Sequence, residues 1–146
     1  MKNFSEDSLY KQIAFLMKCS YPDVIYRFDF GAGVFLHGNF RLMNLQKAIQ
    51  MIGWKHPDLT IYEPSVIDGK NYHGLCLELK AEGEKIFKKD GKTYASTHIS
   101  QQAEALKKLR KKGYFTSFAV GISEAQEVIE MYLKGAKVVK KKVVKI

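Results

Sequence analysis

Cysteine is nearly absent from the chain: Cys19 and Cys76 are the two in 146 residues, far apart and without a Cys-x-x-Cys pair. That excludes a disulfide framework and fits reduced thiols in a cytoplasmic protein. Histidine is almost as scarce, and His37, His56, His73 and His98 show no zinc-ligand spacing, so structural zinc is not expected. No apolar run is long enough to span a bilayer, and Met1-Lys2-Asn3-Phe4-Ser5-Glu6-Asp7 carries no apolar signal region. The expectation is a soluble intracellular protein with no membrane partner. Gly31-Ala32-Gly33 lacks the third glycine and the adjoining helix start of a nucleotide-binding loop and reads as a hairpin or bulge. No internal repeat is visible.

What the chain does have is apolar content, 46% with 12% aromatic, enough for one domain with a single substantial core. It also has an excess of positive charge, 24 basic against 15 acidic residues and a net charge of +9. Such a balance favours polyanionic partners, because neutralising phosphates releases counterions.

The spacing of Leu9, Ile13, Leu16 and Met17 behind a Ser5 cap predicts a helix over about Glu6 to Cys19. Val24 to Phe30 reads as a strand, and Val34-Phe35-Leu36 as its continuation beyond the glycine bend. Leu42, Leu45, Ala48, Ile49 and Ile52 form an apolar stripe on a second helix, Asn39 to Ile52, stopped by Gly53. Ala81 to Thr97, rich in Lys, Glu and Gly, reads as a mobile loop with a short hairpin at Asp90-Gly91. A helix from about His98 to Lys112, with Leu106 and Leu109 inward, ends at Gly113. A strand from Tyr114 to Val120 follows, and Ser123 to Gln126 forms a capping box for a last helix through Leu133. Ala136 to Ile146 is a basic tail.

The chemistry lies between Pro57 and Lys80. Pro57 to Tyr62 and Gly74 to Lys80 read as two strands joined through a segment holding the Asp68-Gly69 turn. In the second strand, alternation sends Leu75, Leu77 and Leu79 to a core face, and Cys76, Glu78 and Lys80 to the other. Chain reversal brings Asp58 beside Glu78, and two carboxylates beside a lysine make a cage for a hard cation such as Mg2+. The simpler alternative is a polar strand edge with an ordinary ion pair. Of the nine glutamates, however, Glu78 alone has a lysine two residues on.

The order Pro57-Asp58, then Glu78-x-Lys80, resembles the signature of the PD-(D/E)XK nucleases. Gln102, followed by Ala103 to Gly113 and Tyr114, narrows the resemblance to the VRR-NUC family of virus-type replication-repair nucleases, over most of the chain. Lys55-His56 stands before Pro57 where that family commonly carries glycine. The resemblance implies an α/β, restriction-endonuclease-like core with a mixed central β-sheet flanked by helices. Residues 1–135 would form the nuclease domain and 136–146 the basic tail. It further implies hydrolysis of DNA phosphodiesters with Mg2+ or Mn2+, and a homodimer acting on DNA, branched or flapped forms included. Asp58 and Glu78, aided by the Leu79 carbonyl, are the candidate metal ligands; Lys80, Gln102 and Glu6 are the candidate catalytic residues. Lys55, Lys107, Lys108, Lys111, Lys112, Lys140, Lys141 and Lys142 are the candidate DNA contacts. A non-catalytic nucleic-acid-binding or assembly module on the same fold is the alternative function.

Overall fold

The computed structural model describes residues 2–29, 38–51 and 54–140. The chain runs through helix α1 (Lys2–Ser20), strand β1 (Tyr26–Phe28), α2 (Phe40–Ile49), β2 (Leu59–Ile61), β3 (Ser65–Ile67), β4 (Lys70–Tyr72), β5 (Leu75–Lys80), α3 (Thr97–Lys111), β6 (Phe115–Val120) and α4 (Gly121–Lys140). The central sheet has the order β1-β2-β5-β6. Its first three strands pair antiparallel, and β5 pairs parallel with β6 through the α3 crossover. This is the mixed sheet flanked by helices that the sequence implied.

Burial follows the alternation along β5. Leu75, Leu77 and Leu79 enter one core with Leu59 and Ile61 of β2, Leu9, Ile13 and Met17 of α1, and Ile129, Tyr132 and Leu133 of α4. Cys76, Glu78 and Lys80 are buried as well, because α3 covers the opposite face of the sheet. Both faces of this strand are therefore roofed, as in the inner strands of α/β sheets.

Several boundaries differ from expectation. Asp68-Gly69 turns the chain within the segment between β2 and β5 as expected, but with φ of 51° and 76° it closes a separate small hairpin there, β3 with β4. Helix α1 starts ahead of Ser5, and α2 stops at Ile49. No α2 residue is buried: Leu42, Leu45 and Ile49 are 41%, 52% and 74% exposed. The stripe was genuine, but no other element covers it among the described residues. Helix α4 begins at Gly121, so the Ser123 capping box does not form; Glu124 instead accepts from the Val120 amide. That helix continues past Leu133 to Lys140, and Ala136 is part of the core. The 81–96 segment does hold the expected hairpin, with a Phe87–Tyr94 bridge and Asp90 accepting from the Lys92 and Thr93 amides. The Gly31–Gly33 bend, Val34 to Leu36, Ile52, Gly53, Lys141 and Lys142 lie outside the described residues. No described helix is long and apolar enough to cross a membrane.

The β3–β4 hairpin is clamped by α4. Ser65 Oγ donates to the Tyr132 carbonyl at 2.7 Å, and a Cβ on Gly135 would run into Ser65 Oγ and the Val66 carbonyl oxygen. Gly135→Ala should therefore push the hairpin off the helix and cost about 1–3 kcal/mol, the usual range for overpacking, measured by urea unfolding. An unchanged midpoint would show that the contact yields freely.

Candidate active site

Register places the carboxylates. β2 pairs with β5 so that Leu59 lies opposite Leu77, which brings Asp58, one residue earlier, level with Glu78. Asp58 sits at the strand entrance, where its Oδ2 accepts a hydrogen bond from the Leu79 amide at 2.8 Å. The Asp58 and Glu78 carboxyls are hydrogen-bonded to each other. From the roof, Gln102 Nε2 of α3 donates to Glu78 Oε2 at 2.9 Å. Gln102 is inward because the Ser96 N-cap phases the helix: Ile99, Gln102, Ala103 and Leu106 all fall on its buried side.

Burial dominates the electrostatics. Glu78 is 1% exposed, and desolvation followed by the charge of Asp58 pushes its carboxyl up to about 9, against the opposing pull of Lys80 and Lys55. Asp58 also lies above the ordinary range, chiefly through burial, while the Leu79 amide, Glu78, Lys80 and Tyr10 pull it back. Burial raises both carboxyls, and the charge of Asp58 raises Glu78 further, so the pair retains a proton that two isolated carboxyls would lose.

Lys80 is buried, 7% exposed, on the same strand face as Glu78, and its charge is felt by Asp58, Glu78 and Glu6. Glu6 borders the group from α1: burial, then Glu84 and Asp58, raise it, and Lys80 lowers it. The structure thus brings together Asp58, Glu78, Lys80 and Gln102, with Glu6 within their field. Leu79 contributes its amide to Asp58. Among the described residues no group of three or more His, Cys, Asp or Glu side chains forms a metal cage by itself. A pair of carboxylates suits a cation that completes its shell with water and phosphate oxygens.

Sequence reasoning missed Tyr10. Its half-buried hydroxyl hydrogen-bonds Asp58, and its ring packs edge-on against Phe28 at 5.4 Å. Desolvation, then the charges of Asp58 and Glu6, raise its pKa, so it stays a neutral donor. The available signal was its place one turn after Glu6 on the same helix face.

The basic candidates divide. Lys55 Nζ lies 3.0 Å from His98 Nδ1, and His98 is held below its usual pKa by burial, then Lys55 and Lys80. A neutral His98 accepting from Lys55 follows. Lys107 pairs with Glu104 at 3.1 Å on open surface, worth little to stability. Lys108, Lys111 and Lys112 are exposed at the far end of α3, and Lys140 ends α4.

The raised Glu78 pKa makes a signed prediction. Above 4.5 an unfolded Glu78 releases its proton, whereas the folded one keeps it up to about 9. Its stabilising contribution is complete below 4.5 and declines as pH rises through that window. In EDTA, the melting temperature of the wild type should therefore fall relative to that of Glu78→Gln as pH rises. A constant gap between the two proteins would refute the buried shared proton.

No protein-family model matches the chain, and no curated protein matches it either. Among solved structures, the chain is similar to one described as a "VRR_NUC domain protein", with 25% sequence identity, a TM-score of 0.55 and 90% of each chain covered. The resemblance read from Asp58, Glu78, Lys80 and Gln102 and the likeness in fold therefore point to the same nuclease-like architecture.

Proposed function

We propose that the chain is a divalent-metal-dependent deoxyribonuclease, an endonuclease that hydrolyses phosphodiester bonds of branched or flapped DNA in replication, repair or recombination. The observation that carries this reading is the Asp58–Glu78 pair held in register under Gln102, with buried Lys80 beside it.

The donor set fits Mg2+ or Mn2+. Two hydrogen-bonded carboxyls, a nearby main-chain carbonyl at Leu79 and the buried Gln102 Oε1, which has no hydrogen-bond partner among the described residues, make a hard-oxygen environment. Asp58, Glu78 and the Leu79 carbonyl would hold the cation, and Gln102 Oε1 would accept from one of its waters. The cation would neutralise phosphoryl charge and acidify the attacking water. This chain's own groups do the rest. Gln102 fixes the Glu78 carboxyl through Nε2, while the Leu79 amide and Tyr10 fix Asp58. Lys80 donates hydrogen bonds to the attacking water or a non-bridging oxygen, where negative charge grows as the new P–O bond forms and the ester P–O bond breaks. Glu6 borders the site and would steer water at its edge. Lys55, Lys107, Lys108, Lys111, Lys112 and Lys140, with Lys141 and Lys142, supply phosphate contacts that position DNA.

The variants separate chemistry from folding. Asp58→Asn and Glu78→Gln should each lower cleavage by about a thousandfold or more, and EDTA should abolish it. Lys80→Ala should impair cleavage yet leave calorimetric Mn2+ binding largely intact, because an ammonium cannot ligate. Near wild-type cleavage by pure Glu78→Gln would sink the mechanism. DNA binding without cleavage by the wild type, with either metal, would leave the non-catalytic module instead.

The proposal includes the homodimer. A second copy would cover the α2 stripe of Leu42, Leu45 and Ile49, which two-fold symmetry can bury against itself. Leu45→Glu should then shift light scattering from dimer to monomer, and a wild type that is already monomeric while active would remove the dimer from the reading.

A further inference from the structure

A groove beside α3 takes no part in the hydrolysis. It lies between Trp54 and one face of α3, with a volume of about 440 Å³. Trp54, half-buried, forms one wall. Its backbone is fixed twice: its amide donates to the Met51 carbonyl at 3.2 Å, and its carbonyl accepts from Gln50 Nε2 at 2.8 Å. The ring is steadied by His56, edge-on at 6.3 Å. The other wall is a single stripe of α3 at helical spacing, including Ser100, Gln101, Ala105 and Lys108. Lys55 and Lys108 are the two lysines of the lining. Glu104 is the acid in the lining, and Lys107 neutralises it at 3.1 Å.

The groove adjoins the acid site. Gln101 lines it while its neighbour Gln102 holds Glu78 on the adjacent face of the same helix. Lys55, which lines it, binds His98 and lowers the Glu78 pKa by its charge. A flat aromatic wall, hydroxyl and amide groups able to meet base edges, and two lysines for phosphates are what an unpaired nucleotide needs. Duplex DNA keeps its bases stacked inside and offers such a groove only its backbone.

We propose that this groove receives an unpaired nucleotide of the DNA, its base stacked on Trp54 and its phosphates between Lys55 and Lys108. Placement beside the Asp58–Glu78 pair then selects DNA with a single-stranded segment next to the bond to be cut. That selection rests on the nuclease reading; the binding itself does not.

Trp54 is the sole tryptophan of the chain, so fluorescence excited at the red edge of the tryptophan band, where tyrosine does not absorb, reports on the groove. Oligo-dT titrated into the full chain in EDTA should quench that fluorescence to saturation, and a blunt duplex of equal length should quench it far less. Trp54→Ala should weaken oligo-dT binding, read by anisotropy of a labelled strand, about tenfold or more, the usual scale for losing one stacked base. Blunt-duplex affinity should be unchanged, and Trp54→Phe should restore most of the oligo-dT affinity. Absence of quenching, or equal losses for single strand and duplex in both variants, overturns the groove. With Mg2+ or Mn2+ added, flap cleavage by the wild type together with an indifferent Trp54 refutes the groove and spares the nuclease. Trp54-dependent binding without cleavage of any flap, junction or duplex does the opposite.

Discussion

The register of β2 on β5 is the constraint from which the site follows. Leu59, Ile61, Leu75 and Leu77 are fully buried on one face of this antiparallel pair, each contributing about 1.5–3 kcal/mol by leaving water. A slip of one residue would turn Leu75 and Leu77 away from the face they share with Leu59 and Ile61, so the hydrophobic pattern opposes it. That pairing forces Asp58 level with Glu78, which electrostatics alone would oppose. Apolar burial therefore offsets the cost of the acid pair, and the pair responds by keeping a proton that isolated carboxyls would lose.

How much of this was legible depended on whether a pattern was local. The alternation in Leu75–Lys80 sends Glu78 and Lys80 to one face, and the structure agrees. Their burial was not legible, because it depends on α3, folded from a segment some twenty residues later, roofing that face. Gln102 was readable from its place one turn before Leu106 and from the family pattern. Tyr10 was readable only as a neighbour of Glu6 on one helix face, since a tyrosine in an amphipathic helix gives no sign that its hydroxyl will meet Asp58. The α2 stripe shows the same limit from the other side: Leu42, Leu45 and Ile49 share a face whatever covers it, and periodicity cannot say whether the cover belongs to this chain. Local capping signals failed where a longer helix overrode them, as at Ser5 and Ser123.

Helix α3 sorts its chemistry by face and by height. Gln102 faces the carboxylates; the neighbouring stripe lines the Trp54 groove; and Lys108, Lys111 and Lys112 gather at its end. At about 1.5 Å of rise per residue, Lys111 stands roughly 14 Å along the axis from Gln102. Cationic side chains at that end also suit the negative end of the helix dipole, so the arrangement that favours phosphate contacts costs the helix nothing.

The choice of an amide at position 102 has its own logic. A lysine or arginine there would form a buried ion pair with Glu78, lower its pKa and occupy the oxygens a cation needs. An apolar residue would leave Glu78 Oε2 without its donor in a dry site, a cost of about 1–3 kcal/mol. Glutamine avoids both, because Nε2 donates to Glu78 while Oε1 remains an acceptor. It is uncharged, so it holds the carboxyl in place without competing for it, and it can do so whether Glu78 carries its proton or has given it up.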